Sequence, residues 1–364
     1  MSTIKANAIL DASGGNTATF NGIPLRQGVL DPDNRIINGA FDFWQRGTSS
    51  TANGYVAADR WQNTNSGGTV TMSRQSFAVG DTLGSNNPTY FLRQTVSGQT
   101  TSAQLAIVQH SIEGVRSYAG QTITVLGWAR RSSGAGNMAV SASQNFGTGG
   151  SPSAAVTAIS PTTVTLTSSF APFAVVITVP SVTGKTLGTN ANDSFNFGFW
   201  ASAGSDYNSS TNSLGLQTIG VDLWGIHIKV GTHTTAATDL YKQPEMGPEF
   251  DRCRRYYQQM YIDGLVVVIY TPNGDTRSST HTLPTPMRTT PAASPGSFTN
   301  HSINFGFTGE AVNTPTAQWN ITTYLYSGTV SFWFDQSSTV AGYPNVVVAA
   351  GINCSTVFSF DAEL

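Results

Sequence analysis

The chain has 364 residues, enough for two domains at roughly 100–200 residues each. Charged residues make up only 10% of it and the net charge is −2. This excludes charge-driven disorder and, with no gathered Lys/Arg surface to neutralise phosphates, a nucleic-acid partner. The polar character comes from Ser, Thr, Asn, Gln and Gly, whose short side chains compete with a helical backbone and suit strands and turns. The composition reads as all-β.

Residues 1–30 include KANAILDASGGNTATFNG, an extended ribbon with turn signals at Gly14-Gly15 and Asn21-Gly22. The segment is too short to bury a core and is expected to be ordered by docking onto something else. Its opening, MSTIKANAIL, shows no long apolar region of a secretory signal, and no apolar run approaches the roughly 20 residues of a membrane span. A soluble protein without membrane insertion is expected.

From Arg35 the chain alternates in short strands. The pattern predicts them at 69–75, 89–96, 121–129, 138–143, 162–167, 173–179, 194–200 and 221–230. In SFNFGFW, Phe195, Phe197 and Phe199 share one face, and Asn196, Gly198 and Trp200 the other. Helical spacing predicts one helix over 249–261, behind Pro248, with Phe250, Cys253, Tyr257 and Met260/Tyr261 on its apolar side and Arg252, Arg254 and Arg255 on a solvated one. Strands then resume at 265–271, 279–284, 301–308, 317–327, 329–335, 345–350 and 355–361, with a hairpin signal at Asn273-Gly274. The expected fold is all-β, with two antiparallel β-sandwich (jelly-roll-like) domains, at 31–247 and 248–364, behind the segment 1–30.

Catalytic signatures are missing. There is no HExxH, GxSxG or CxxC. Gly184-Lys185-Thr186 resembles the end of a phosphate loop, but Val179 stands where its first glycine belongs. His110, His227, His233, His281 and His301 are scattered; only His227 and His233 are near neighbours in sequence, and a structural role is favoured over a metal site. Cys253 and Cys354 read as two buried thiols. No pair among the carboxylates is marked out for glycoside hydrolysis. No enzyme, no cofactor, no metal and no catalytic residue is therefore expected. The seven tryptophans read as core, whereas Tyr55, Tyr207 and Tyr343 fall in Gly/Asn-rich loops.

RIINGAFDFWQRGTSS with AADRW (Arg35–Ser50, Ala57–Trp61), HSIEGVRSYAGQTITVLGWARRSS (110–133), and GKTLGTN, FWASAGSDYNSSTNSLG and VDLWGIHIKVGT (between 184 and 232) together resemble phage tail-fibre and virion structural proteins with a carbohydrate-binding-module-like jelly roll. FDRCRRYYQQM (250–260), LPTPMRTTPA (283–292), the closing FDAEL (360–364) and the opening IKANAILDASGGNT complete the set, in order, across nearly the whole chain. Trp224, His227 and Lys229 make the last jelly-roll strand bulkier and more polar than the family pattern.

The resemblance implies a bacteriophage virion component assembled in the bacterial host cytoplasm, attached to other virion proteins through residues 1–30. It also implies host attachment, with a host-surface glycan as ligand, and a homo-oligomer, a homotrimer first. Polar and aromatic residues near turns of the C-terminal region are the candidate ligand-binding set: Asn273, Asp275, Arg277, Asn313, Gln336 and Tyr343. The rival readings are a head-decoration or baseplate-type protein without receptor binding, and a capsule depolymerase.

Overall fold

A computed structural model describes residues 34–261 without a break. It further describes 264–267, 276–295, 303–307, 310–312, 320–325, 329–335, 349–352 and 357–364, and near the start 19–20 and 23–24. The two short strands there, β1 (Thr19–Phe20) and β2 (Ile23–Pro24), pair antiparallel across the Asn21-Gly22 signal.

Eleven strands follow: β3 (Ser49–Ser50), β4 (Trp61–Ser66), β5 (Thr69–Ser76), β6 (Tyr90–Ser97), β7 (Leu105–Glu113), β8 (Thr122–Ser133), β9 (Asn137–Asn145), β10 (Val156–Thr165), β11 (Ala171–Thr178), β12 (Ser194–Ala203) and β13 (Ile219–Val230). They form two antiparallel sheets, one of six strands in the order β11-β8-β13-β6-β5-β3 and one of five in the order β10-β9-β12-β7-β4. The two sheets enclose one apolar core, so the architecture is the expected β-sandwich. All eight strands expected before the helix are present. Three more are present: β3 is only two residues long, and β4 and β7 escape the alternation rule. Asn63 of β4 and His110 of β7 point into the core, where apolar residues would have marked the strands. The burial is made tolerable by bonds: Gln94 Nε2 donates to Asn63 Oδ1 across the sandwich at 3.1 Å, and His110 Nε2 accepts the Ile37 N–H at 3.2 Å.

Strand β12 carries Phe195, Phe197 and Phe199 into the core. On β13, Ile219, Val221 and Leu223 point inward, and so do Ile226 and Ile228. The change of parity is a bulge: the register with β8 slips between Trp224 and His227. Gly225 supplies the left-handed backbone there (φ 64°), where an added Cβ would lie 2.8 Å from the Trp128 ring. Trp224 and His227 thus face outward, yet both are buried because Tyr241 covers them, with ring centroids 5.4 and 4.9 Å away.

The helix begins and ends earlier than the apolar spacing predicts. α1 (Asn208–Thr211) is a single turn after β12, and α2 (Met246–Arg254) is followed by β14 (Tyr257–Tyr261), which takes residues assigned to the helix by their spacing. Tyr257 through Tyr261 pair instead with β23 (Val357–Asp361), a long-range partner no local pattern reveals. The remaining described strands are β15 (Gly264–Val267), β16 (Thr276–Thr282), β17 (Ala292–Pro295), β18 (Ile303–Phe307), β19 (Glu310–Val312), β20 (Asn320–Leu325), β21 (Thr329–Asp335) and β22 (Ala349–Ile352). They pair antiparallel as β14-β23-β17, β15-β22-β18-β19 and β16-β21-β20.

The motif segments at 35–50, 57–61, 250–260 and 360–364 meet, with Glu113, at one joint. Asn38 donates from its Nδ2 to the carbonyls of Phe43 and Asp59, and its backbone N–H donates to Glu249 on α2 at 2.6 Å. Gln45 Nε2 donates to Asp59 Oδ2 and to the Tyr257 carbonyl. Arg46 and Arg60 pair with Glu363, and Arg46 also with Asp361. Their guanidiniums lie on tyrosine faces, Arg46 3.7 Å from the Tyr257 centroid and Arg60 3.4 Å from that of Tyr256. Arg255 bonds both oxygens of Glu113 at 3.0 Å, and Arg252 and Arg254 pair with Glu249 and Asp251. The three arginines therefore hold ion pairs, Arg255 across to the sandwich. Cys253 is buried beside Ile37 and Tyr256 as a free thiol, while Cys354 lies outside the described residues.

Candidate functional site

The outward positions of the five-stranded sheet form the candidate site. Because β12 alternates strictly over 194–200, its Phe residues go inward and Ser194, Asn196, Gly198 and Trp200 outward. Register places Asn196 between Ser143 of β9 and Ser111 of β7. One step along, Gly198 sits between Ser141 and Gln109, and Gln109 lies opposite Gln62 of β4. Trp200 lies between Ala139 and Ile107, and Ile107 faces Thr64. The middle of the face is thus made of small residues, Ser141, Ser143 and Gly198, with long amides beside them. At Gly198 a Cβ would approach the Ile107 Cδ1 to 2.3 Å. The result is a strip of outward positions across β9, β12, β7 and β4, here called the trough, about 14 Å over three inter-strand spacings, with the Ile107 side chain lying over Gly198.

The face is walled toward both ends of its strands, on the two sides of that row. At one end Trp200 donates its indole N–H to Ser141 Oγ at 2.9 Å and is covered by Tyr207, 5.7 Å away, and by Leu214. Tyr207, expected in an exposed loop, is half-buried in this wall. At the other end stands Glu113, held by Arg255 and by the Tyr256 hydroxyl at 3.0 Å. Tyr55, also expected in an exposed loop, is half-buried with its ring under Arg46 and Arg60.

Chemically the trough is neutral. Gln62, Thr64, Gln109, Ser143 and Asn196 are all half-buried. Gln109 Oε1 accepts the Thr64 hydroxyl at 3.0 Å, and its amide N–H groups have no acceptor among the described residues. Asn196 Oδ1 is buried and has no partner among the described residues. Arranged this way, the face can exchange hydrogen bonds with a polyhydroxylated chain without moving a proton.

Of the residues singled out by sequence, Asn273, Asp275, Asn313, Gln336 and Tyr343 lie outside the described residues. Arg277 stands on β16 opposite Phe334 of β21. Trp44, Trp61, Trp128, Trp200 and Trp224 are buried, as expected of core residues. His227 and His233 do not converge: His227 Nδ1 lies 2.9 Å from the Gly225 carbonyl and His233 Nε2 2.8 Å from that of Val230. Among the described residues no three His, Cys, Asp or Glu side chains gather at one point. Gln62 and Gln109 were missed because their strands were missed; Asn196 was already visible on the outward face of SFNFGFW.

No protein-family profile matches the chain, and no curated protein matches it. Solved structures overlap with it in part. The bacteriophage CBA120 tailspike protein 4 enzymatically active domain shares 12% identity over 54% of this chain, which amounts to 21% of that one, with a TM-score of 0.32. The N-terminal cellulose-binding domain of Cellulomonas fimi β-1,4-glucanase C shares 17% over 52% of this chain and 98% of its own, with a TM-score of 0.28. The tandem CBM22-1-CBM22-2 domain of Paenibacillus barcinonensis Xyn10C shares 9% over 83% and 93%, with a TM-score of 0.27. Overlap at this level concerns strand arrangement alone.

Proposed function

We propose that the protein is a non-enzymatic virion component, a tail fibre or related appendage, whose first sandwich binds host-surface glycan along the trough of the five-stranded sheet. The observation that carries the glycan reading is the row Gln62, Gln109, Gly198 and Ser141, flanked by the half-buried amide of Asn196. The row crosses the strands as a sugar chain lying on the sheet would, and the half-buried neutral amides of Gln62 and Gln109 match its hydroxyls. The carboxylate at the side of the trough, Glu113, is held by Arg255 and Tyr256, which supports binding over hydrolysis. The virion setting, with residues 1–30 as tether and a homotrimer as assembly, is supported by the ordered motif segments.

One observation favours a second reading. Asn38, Gln45, Arg46, Arg60, Tyr256 and Glu363, all within the segments that carry the resemblance, build the joint, whereas the row Gln62, Gln109, Gly198 and Ser141 lies outside those segments. A purely structural head-decoration or baseplate-type protein would need only the joint.

A glycan-array screen of the whole chain, followed by titration of the best ligand, separates these readings. Each neutral hydrogen bond contributes about 0.5–1.5 kcal/mol, so Gln109→Ala with Asn196→Ala weakens binding roughly tenfold or more. Absence of any glycan ligand for the folded wild type favours the structural reading. Release of reducing sugar from host polysaccharide would make the protein a depolymerase.

A further inference from the structure

The other face of the sandwich carries a cavity of its own. It has a volume of about 260 Å³, below the ~300 Å³ at the lower end of drug-sized ligand pockets, and fits a single ring better than a chain. Its floor is Arg130 and Phe91, its walls Phe77, Phe170 and Leu83, and its rim carries Ser76, Asp81, Thr82 and Ser169. The end of β5 and the loop behind it bring residues 76–83; the connection from β10 to β11 brings Ser169 and Phe170.

The charge beneath the floor is unbalanced. Asp222 on β13 is completely buried and is shared by two arginines. Arg93 takes it bidentately, Nε at 2.6 Å and Nη2 at 2.8 Å, and Arg130 donates from Nε at 2.7 Å. One carboxylate against two guanidiniums leaves one positive charge. Arg130 points its Nε edge down to Asp222, and its terminal nitrogens have no acceptor among the described residues. Its side chain is 30% exposed, and its guanidinium carbon lies 4.5 Å from the Phe170 centroid and 5.1 Å from that of Phe91. At the rim, Asp81 accepts the Ala78 N–H with Oδ2 at 2.9 Å and is otherwise exposed.

We propose that this cavity binds one sugar ring bearing a single carboxylate, of the uronic-acid type, as a site separate from the trough. The ligand's carboxylate accepts from the terminal nitrogens of Arg130, for which a planar, permanently charged guanidinium is well shaped. The C–H face of the ring lies on Phe170 or Phe77. A ring hydroxyl donates to Asp81, and the same aspartate repels anions of higher charge such as phosphate. Ser76, Thr82 and Ser169 supply hydroxyls around the mouth.

The test is calorimetric or saturation-transfer titration of the whole chain with glucuronate and galacturonate, beside glucose, galactose, acetate and inorganic phosphate. Uronate binds, added salt weakens it, and the neutral sugars bind at least about tenfold less tightly. Arg130→Gln abolishes the binding. Because that change touches the Asp222 cluster, Ser169→Trp serves as the second variant, closing the mouth from an exposed position; it also abolishes binding. Gln109→Ala with Asn196→Ala leaves uronate binding intact, which keeps this site's fate apart from that of the trough. The proposal is overturned if the folded wild type ignores uronate, if neutral sugars bind equally well, if acetate or phosphate binds as tightly as uronate, or if both cavity variants still bind.

Discussion

Glu363 places its carboxylate on the guanidinium of Arg60, 303 positions earlier in the chain. Arg60 is 1% exposed and Glu363 6%, and the Tyr256 ring covers the arginine from the other side. Arg60 also donates to the Ser111 carbonyl at 2.6 Å, which ties the pair to β7 of the five-stranded sheet. The last residues of the chain are thereby part of the first sandwich's stability.

Glu363→Gln tests that tie. Removing one partner strands a buried charge, at a cost of about 3–5 kcal/mol. Chemical denaturation should show a loss of this size, while Glu363→Asp, which keeps the charge, loses less. A variant as stable as wild type would mean the pair contributes nothing net.

Asp222→Asn should destabilise the six-stranded sheet for the same reason. Arg93 and Arg130 are 26% and 30% exposed, so water screens them and the loss falls below the ~3–5 kcal/mol of a fully buried pair. The deficit should shrink when Arg130→Gln is added, because one stranded charge is then gone. Additive losses in this double-mutant cycle would argue against the shared carboxylate.

Asp42 gives a pH signature. Burial first, and the charge of Glu249, raise its pKa to about 6, against a hydrogen bond from Gln243 that lowers it. A folded pKa above the unfolded value of 3.8 means the folded state binds the extra proton, so this group's contribution improves as pH falls through 6. Asp42→Asn keeps an acceptor for Gln243 and carries no charge. The variant should be the more stable protein at pH 8, with an advantage that fades between pH 6 and 4. Melting curves at the two ends of that range check it.

Gly225→Ala should be costly for a residue at the surface-side of a strand. The left-handed backbone adds about 1–2 kcal/mol for a residue with Cβ, and crowding against the Trp128 ring about 1–3 kcal/mol more. Loss of tryptophan near-UV dichroism would follow, since the Trp128–Trp224 pair, with centroids 5.2 Å apart, rests against that bulge.

Residues 1–30, proposed as the tether, are tested by a chain starting at Asp33. It should melt as the full chain does and fail to join particles during infection. Incorporation at wild-type levels would place the attachment elsewhere.

Sequence alone determined the β class, the eight strands of the first sandwich with clean alternation and the inward Phe195, Phe197 and Phe199, because a half-buried strand writes its two faces into every second residue. It also placed Asn196, Gly198 and Trp200 together on the outward face. Strands β4 and β7 were hidden, since Asn63 and His110 occupy core positions that only a partner across the sandwich or a backbone N–H makes acceptable. The end of the helix was hidden too: Tyr257–Tyr261 fit either a helix face or a strand, and pairing with residues about a hundred positions later decides between them. The trough needs Gln62, Gln109, Gly198 and Ser141 on four separate strands, and the cavity needs Arg130 held by Asp222 beneath Phe170. Neighbours of this kind come from sheet order and register, which local spacing does not encode; they exist only once the strands have paired.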